Sequence, residues 1–195
     1  MQELDSQGLL QDTMIIFTTD NGYFHGEHGL AGKWYPYQES IRVPLIIYDP
    51  RMPLSKRNTL EDSFTLNIDL ATTILGAAGI TTPHPEMQGR DIADLYLPPN
   101  PSITPVGERN GPTPAWRQEF YYEFRFDKHS ERMPICTALV RKDFKYIYWP
   151  QFKYHQLFHL TADPLEQNDL ANHTGYSSVL REMILRHDEL EQSLT

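Results

Sequence analysis

The sequence predicts an α/β chain: the edge of an α/β/α sandwich, followed by a small antiparallel sheet with a C-terminal helix. Three observations lead there. Two short apolar, β-branched runs without strict alternation, TMIIFTT (13–19) and RVPLIIY (42–48), fit strands covered on both faces. A helical stripe comes next, and a set of aromatic, β-branched segments appears only beyond a Pro/Gly-rich stretch.

Taken in order, MQELDSQ reads as the end of a helix stopped at Gly8, which takes a left-handed conformation without a Cβ penalty. A chain that opens by finishing a helix is expected to lack its beginning. The first strand follows, and the second tolerates Pro44 near its start, where no ladder donor is needed. Leu66, Leu70, Ile74 and Ala78, with Ile68, Ala71 and Leu75 beside them, form the helical stripe; Asp62 and Ser63 are its N-cap candidates, and Gly79 closes it. Pro and Gly then dominate up to Pro114, which places a connection at 98–117 between a first domain, 1–97, and a second, 118–195. In the second, FYYEFRF, CTALVRK and FKYIYW read as strands, with Lys142–Asp143 as a hairpin turn and LFHL as one further strand. Val179, Leu180, Met183, Ile184, His187 and Leu190 share one face of a terminal helix.

The balance of charge narrows the function. With 17 basic against 26 acidic residues over 195 positions the net charge is −9, which argues against a phosphate-backbone binder, so nucleic acid is not expected as a partner. Cys136 is the only cysteine, which excludes an internal disulfide and a thiolate metal cluster; its plainer reading is a small buried hydrophobe. No run approaches the ~20 apolar residues of a membrane span. A periplasmic or secreted location would follow if the full-length protein has a signal peptide.

Chemistry concentrates in TTDNGYFHGEHGLAGKWYPYQES, residues 18–40. Asp20 and Asn21 sit where the first strand ends, and ligands of open α/β sheets gather outside the carboxyl ends of strands. Their oxygens are hard donors suited to Ca²⁺ or Mg²⁺, though two oxygens cannot fill a shell of six to eight. The alternative is that Asp-Asn-Gly is simply a turn. Lys33, flanked by Gly32 and Trp34, is either aimed at an anionic oxygen or solvated. His25, Glu27 and His28 have the composition of a zinc cluster, but a loop histidine more often hydrogen-bonds than ligates.

The whole stretch IIFTTDNGYFHGEHGLAGKWYPYQESIRVPLIIYDP resembles the second signature region of the sulfatases of the alkaline phosphatase superfamily. The family pattern is a strand, Ser/Thr-Asp-Asn/His-Gly, a Gly-Glu-His-Gly turn, a Lys, then Glu-Ser/Ala and Arg-Val-Pro before the next strand. NIDLATTILGAAGI and MQGRDI continue the likeness, and ALVRKDFKYIYWPQFKYHQLFHLTADPLEQNDLA is similar to the family's C-terminal subdomain with its Asp-Pro-x-Glu ending. The resemblance implies an alkaline-phosphatase-like sandwich. It also implies Asp20 and Asn21 as metal ligands, usually of Ca²⁺, and Lys33 as a contact to the sulfate ester. His28, grouped with Lys33 among the catalytic residues, is expected to order the loop; Glu39 and Arg42 are expected to brace it as a pair in preference to contacting substrate. No role falls to His25.

The family's nucleophile is a formylglycine made within Cys/Ser-x-Pro-x-Arg, and no such segment occurs here. Cys136 is followed by Thr137 and Ala138, and no Ser has Pro two positions on. The expectation is therefore a C-terminal fragment of a sulfatase, inactive alone because the covalent step lacks its attacking atom, and completed by a missing N-terminal portion. Its substrate would be a sulfate monoester, a sulfated glycan or a small sulfate ester. Two alternatives stand beside it: a noncatalytic chain that binds metal or sulfated glycan, and part of a phosphodiesterase or phosphonate hydrolase of the same superfamily.

Overall fold

The computed structural model describes residues 1–80, 87–98, 115–125 and 133–194. Most of the expected connection at 98–117 lies outside them, as does the end of FYYEFRF. The described chain forms two compact units, residues 1–20 with 44–116 and residues 21–43 with 117–195.

The first unit opens with α1 (Gln2–Ser6), after which Gly8 takes φ +71 as the helix stop requires. β1 (Ile15–Thr18) and β4 (Leu45–Tyr48) then pair antiparallel, Ile15 opposite Tyr48 and Thr18 opposite Leu45. The expectation that both faces of these strands are covered is corrected. Phe17 and Ile46 face each other across the ladder and are 61% and 62% exposed, because side chains alternate and one face of this two-stranded ribbon stands open.

α3 (Asn67–Ala77) ends at Gly79, φ +70, as expected. Its start is later than Asp62 and Ser63: the Leu66 N–H is held at 2.7 Å by the Asp69 carboxylate, one helical turn on, while Ser63 donates to Glu61. Its apolar stripe is not its buried face either. Ile68 and Ile74 are exposed, whereas Asp69, Thr72 and Thr73 are buried. The reason is the chain that crosses the helix at 89–92. Arg90 N–H donates to Asp69 Oδ1 and Ile92 N–H to Thr73 Oγ1, so the covered face must offer acceptors. Gly89 and Gly76 permit the approach, since a Cβ would strike the Ile68 carbonyl at the first and the Asp91 carboxylate at the second.

In the second unit β5 (Glu119–Phe124), β6 (Cys136–Arg141), β7 (Phe144–Trp149) and β8 (Tyr154–His159) form an antiparallel sheet in sequence order. β6 and β7 turn over at Lys142–Asp143 as expected. Strand alternation sorts the side chains. Leu139, Tyr146 and Leu157 face α4 (Ser177–Ser193), where Met183 completes a buried cluster with Val179, Leu180, Ile184 and Leu190 against it. On the opposite face Cys136, Ala138, Ile147, Trp149 and Phe158 pack with Phe24 and Tyr37 of the 21–43 segment. Cys136 is a fully buried hydrophobe, and burial pushes its thiol up to about 12. Among the described residues no helix is long and apolar enough to cross a membrane.

Candidate functional site

Asp20 leaves β1 with its carbonyl accepting from Asn67 Nδ2 at 2.6 Å and its carboxylate accepting from Thr19 Oγ1 at 3.2 Å. Past it, Gly22 N–H donates 2.8 Å to the Ser40 carbonyl, and a Cβ on Gly22 would collide with the Glu39 carbonyl. Asp-Asn-Gly is thus no hydrogen-bonded turn. The glycine is needed because two backbones meet there.

The segment from Asn21 to Val43 is built on Phe24, which is fully buried. Around it β2 (Phe24–His25) pairs with β3 (Ala31–Gly32) across the Gly-Glu-His-Gly corner. The corner bends through left-handed conformations at Gly26, His28 and Gly29, a strained state for His28 that is held by its contacts. The His28 ring stacks on Tyr37 at 4.1 Å and 15°, and its Nε2 lies 3.3 Å from Glu39 Oε2. Glu39 is therefore the partner of His28, and the expected Glu39–Arg42 brace is corrected. The stacking brings the imidazole to α2 (Gln38–Ile41), while Arg42 leaves that helix in an extended conformation.

The zinc-like reading fails for the same corner. Glu27 turns back to accept from the His25 N–H at 2.6 Å, and that bond, after the one from its own backbone, holds its carboxyl below the usual range. His25 meets the Tyr23 ring at 4.9 Å. Among the described residues one group of three His/Asp/Glu donors converges, His187, Asp188 and Glu191 on α4, which the sequence reading did not single out. Its donors are engaged: His187 lies between Asp188 and Thr137 Oγ1, and Glu191 accepts from Tyr121 and Arg125.

Lys33 is placed with care. Its Nζ donates to Asn21 Oδ1 at 2.8 Å and stands 5.1 Å from the centre of the Trp34 ring. Trp34 holds φ +100, and its carbonyl accepts from Tyr122 OH of β5 at 2.7 Å. Asp20 and Asn21 carry a carboxylate and an amide oxygen, the donor types that a hard divalent cation takes. They supply two donors, so further ligands must come from elsewhere.

Residues 26–193 match the family model described as N-sulphoglucosamine sulphohydrolase, C-terminal. The chain belongs to this sulfatase family. It is 30% identical over 191 residues to the N-acetylglucosamine-6-O-sulfatase of Bacteroides thetaiotaomicron, a match that takes in 97% of this chain and 32% of that protein. It thus spans about a third of the length of that curated relative. A protein solved in complex with its substrate D-glucosamine-2-N,6-O-disulfate superposes with a TM-score of 0.80 at 28% identity, over 98% of this chain and 36% of the other. The phosphonate monoester hydrolase of Agrobacterium radiobacter, at TM-score 0.75 and 24% identity over 98% and 37%, shares the fold. Family and fold thus agree with the resemblance in the sequence, including the alkaline-phosphatase-like α/β class.

Proposed function

We propose that this chain supplies one wall of a sulfatase site, with Lys33 contacting the sulfuryl group of a sulfate monoester and Asp20 and Asn21 donating oxygens to a Ca²⁺ ion. The observation that carries the reading is the Lys33 ammonium fixed on Asn21 Oδ1, a cation oriented before any substrate arrives. Such preorganised charge costs nothing at the moment of reaction and favours a transition state whose sulfuryl oxygens gather charge. A bound divalent cation would add Lewis-acid stabilisation of the same oxygens. His28 orders the loop through Tyr37 and Glu39, without touching substrate. The formylglycine nucleophile comes from a segment outside this chain.

A sulfated amino sugar is the substrate class this reading favours, because the relatives' names carry it. The test joins this chain to the protein segment bearing Cys/Ser-x-Pro-x-Arg. Sulfate release from 4-nitrophenyl sulfate and from 6-O-sulfated N-acetylglucosamine is followed with and without Ca²⁺. Release that Lys33→Ala abolishes supports the reading, whereas faster turnover of an aryl phosphonate monoester would favour the phosphonate hydrolases that share the fold.

A further inference from the structure

The segment after Lys33 is gripped by the C-terminal sheet and the turn that follows it at four of the five residues 34–38. Tyr122 OH of β5 donates to the Trp34 carbonyl at 2.7 Å, and Lys145 Nζ of β7 donates to the Pro36 carbonyl at 2.6 Å. Tyr37 OH donates to Gln156 Oε1 of β8 at 3.0 Å, an oxygen that also accepts from Trp149 Nε1. The Gln38 N–H donates to Glu166 Oε2 at 2.7 Å, at the start of α2. Two of the four grips come from a single buried ion pair. Lys145 Nζ and Glu166 Oε1 lie 2.6 Å apart with both side chains fully buried.

A buried pair of this kind rarely stabilises a fold more than two apolar side chains of the same volume would, so its presence calls for another reason. The geometry shows one. Alternation along β7 puts Lys145 on the same face as Ile147 and Trp149, towards the 21–43 segment, and Glu166 reaches that face from a left-handed position, φ +52, in the Asp-Pro-Leu-Glu turn. Each charge then spends one contact on its partner and one on backbone either side of Tyr37. That backbone can settle only where both charges are satisfied, because an unpaired buried charge is costly.

We propose that Lys145 and Glu166 are positioning residues for Lys33: the pair fixes Pro36 and Gln38, and with Tyr122 holding Trp34 it sets where the Lys33 ammonium stands. This rests on the reading of Lys33 as the sulfate contact. It assigns the C-terminal sheet a role in the site that its distance in sequence conceals.

The test uses the 195-residue chain and competitive acetylation of its lysines with acetic anhydride, read residue by residue by mass spectrometry, with exposed Lys56 and Lys153 as rate standards. The variant Lys145→Met/Glu166→Met replaces the pair by apolar side chains, and amide exchange in β6 and β7 reports whether the sheet stays intact. With exchange protection kept, Lys33 is expected to acetylate about fivefold faster, the weight of one lost hydrogen bond. Tyr122→Phe, which removes a single grip and leaves the core filled, is expected to give a smaller acceleration, and it decides the matter if the double variant does not fold. Unchanged Lys33 reactivity in a variant with intact protection would overturn the proposal. Protection of Lys33 by added inorganic sulfate in the parent chain tests the functional reading separately. If sulfate fails to protect while the variants still accelerate, the positioning role stands and the sulfate contact falls.

Discussion

The Lys33 ammonium and the Asn21 amide oxygen, 2.8 Å apart and twelve residues apart in sequence, join the two ends of the Gly-Glu-His-Gly excursion. One end follows the metal-ligand candidate Asp20, and the other carries the cation proposed to meet the sulfuryl group. In a protein that joins this chain to a nucleophile-bearing segment, the proposed role predicts that Lys33→Ala lowers kcat on an aryl sulfate by ~10²–10³-fold, the range for removing one preorganised donor. Lys33→Arg should not restore it, since a planar fork cannot take the place of a compact ammonium on Asn21. Steady-state kinetics with circular dichroism as the fold control check this; a variant with near-normal kcat would remove Lys33 from the site.

Gly22 predicts a stability effect in the same loop. Its missing Cβ is what lets its N–H reach the Ser40 carbonyl beside Glu39. Gly22→Ala must push two backbones apart, at a cost of about 1–3 kcal/mol as in other overpacked sites. Thermal denaturation measures the loss, and under the Ca²⁺ role proposed for Asn21 the affinity for Ca²⁺ by calorimetry should fall as well, because Asn21 moves with its neighbour.

Cys136 should be silent in the folded chain. Burial raises its thiol to about 12, so at pH 8 almost none is thiolate and none is reachable. A disulfide reagent such as Ellman's is expected to titrate no thiol until urea is added, then one. Rapid reaction in buffer would mean that β6 is not covered as the structure places it.

Much of the architecture was legible because it follows from short-range rules. The four strands of the C-terminal sheet announce themselves by β-branched and aromatic runs, and α4 by a stripe that the structure buries at Met183 and His187. Gly8 and Gly79 mark helix ends by a conformation that other residues resist. What escaped was set by partners far along the chain. The polar buried face of α3 exists because residues 89–92 cross it, and helical periodicity counts only apolar positions. The pairing of Glu39 with His28 in place of Arg42 depends on a ring stacked on Tyr37. Lys145, a charged residue within an aromatic strand, was the one visible sign of the buried pair, and its partner lies 21 residues on (166 − 145) in a turn.

Acid stability turns on Asp49, the residue after β4. Its carboxylate is almost fully buried, and it accepts from Arg51 Nε at 2.9 Å and Nη2 at 2.6 Å, from the Arg51 N–H at 2.9 Å and from Tyr96 OH at 2.9 Å. Burial by itself raises the carboxyl, but the bonds from Arg51 and then Tyr96 outweigh it and hold the group below the usual range. A carboxyl lowered by folding stabilises the native state above its unfolded value of about 3.9, and that stabilisation is lost as the pH falls through the folded value. Glu119 is raised by burial but lowered further by Arg186 and Arg141, so it acts in the same direction; Asp91, which burial raises, opposes them. Urea unfolding between pH 2 and 7 should therefore show stability falling steeply below about pH 4. Asp49→Asn should cost about 2 kcal/mol at pH 7, the worth of hydrogen bonds to a charged group, and flatten the acid limb without abolishing it, because Glu119 remains. An acid limb of unchanged steepness in the variant would show that another carboxylate controls the transition.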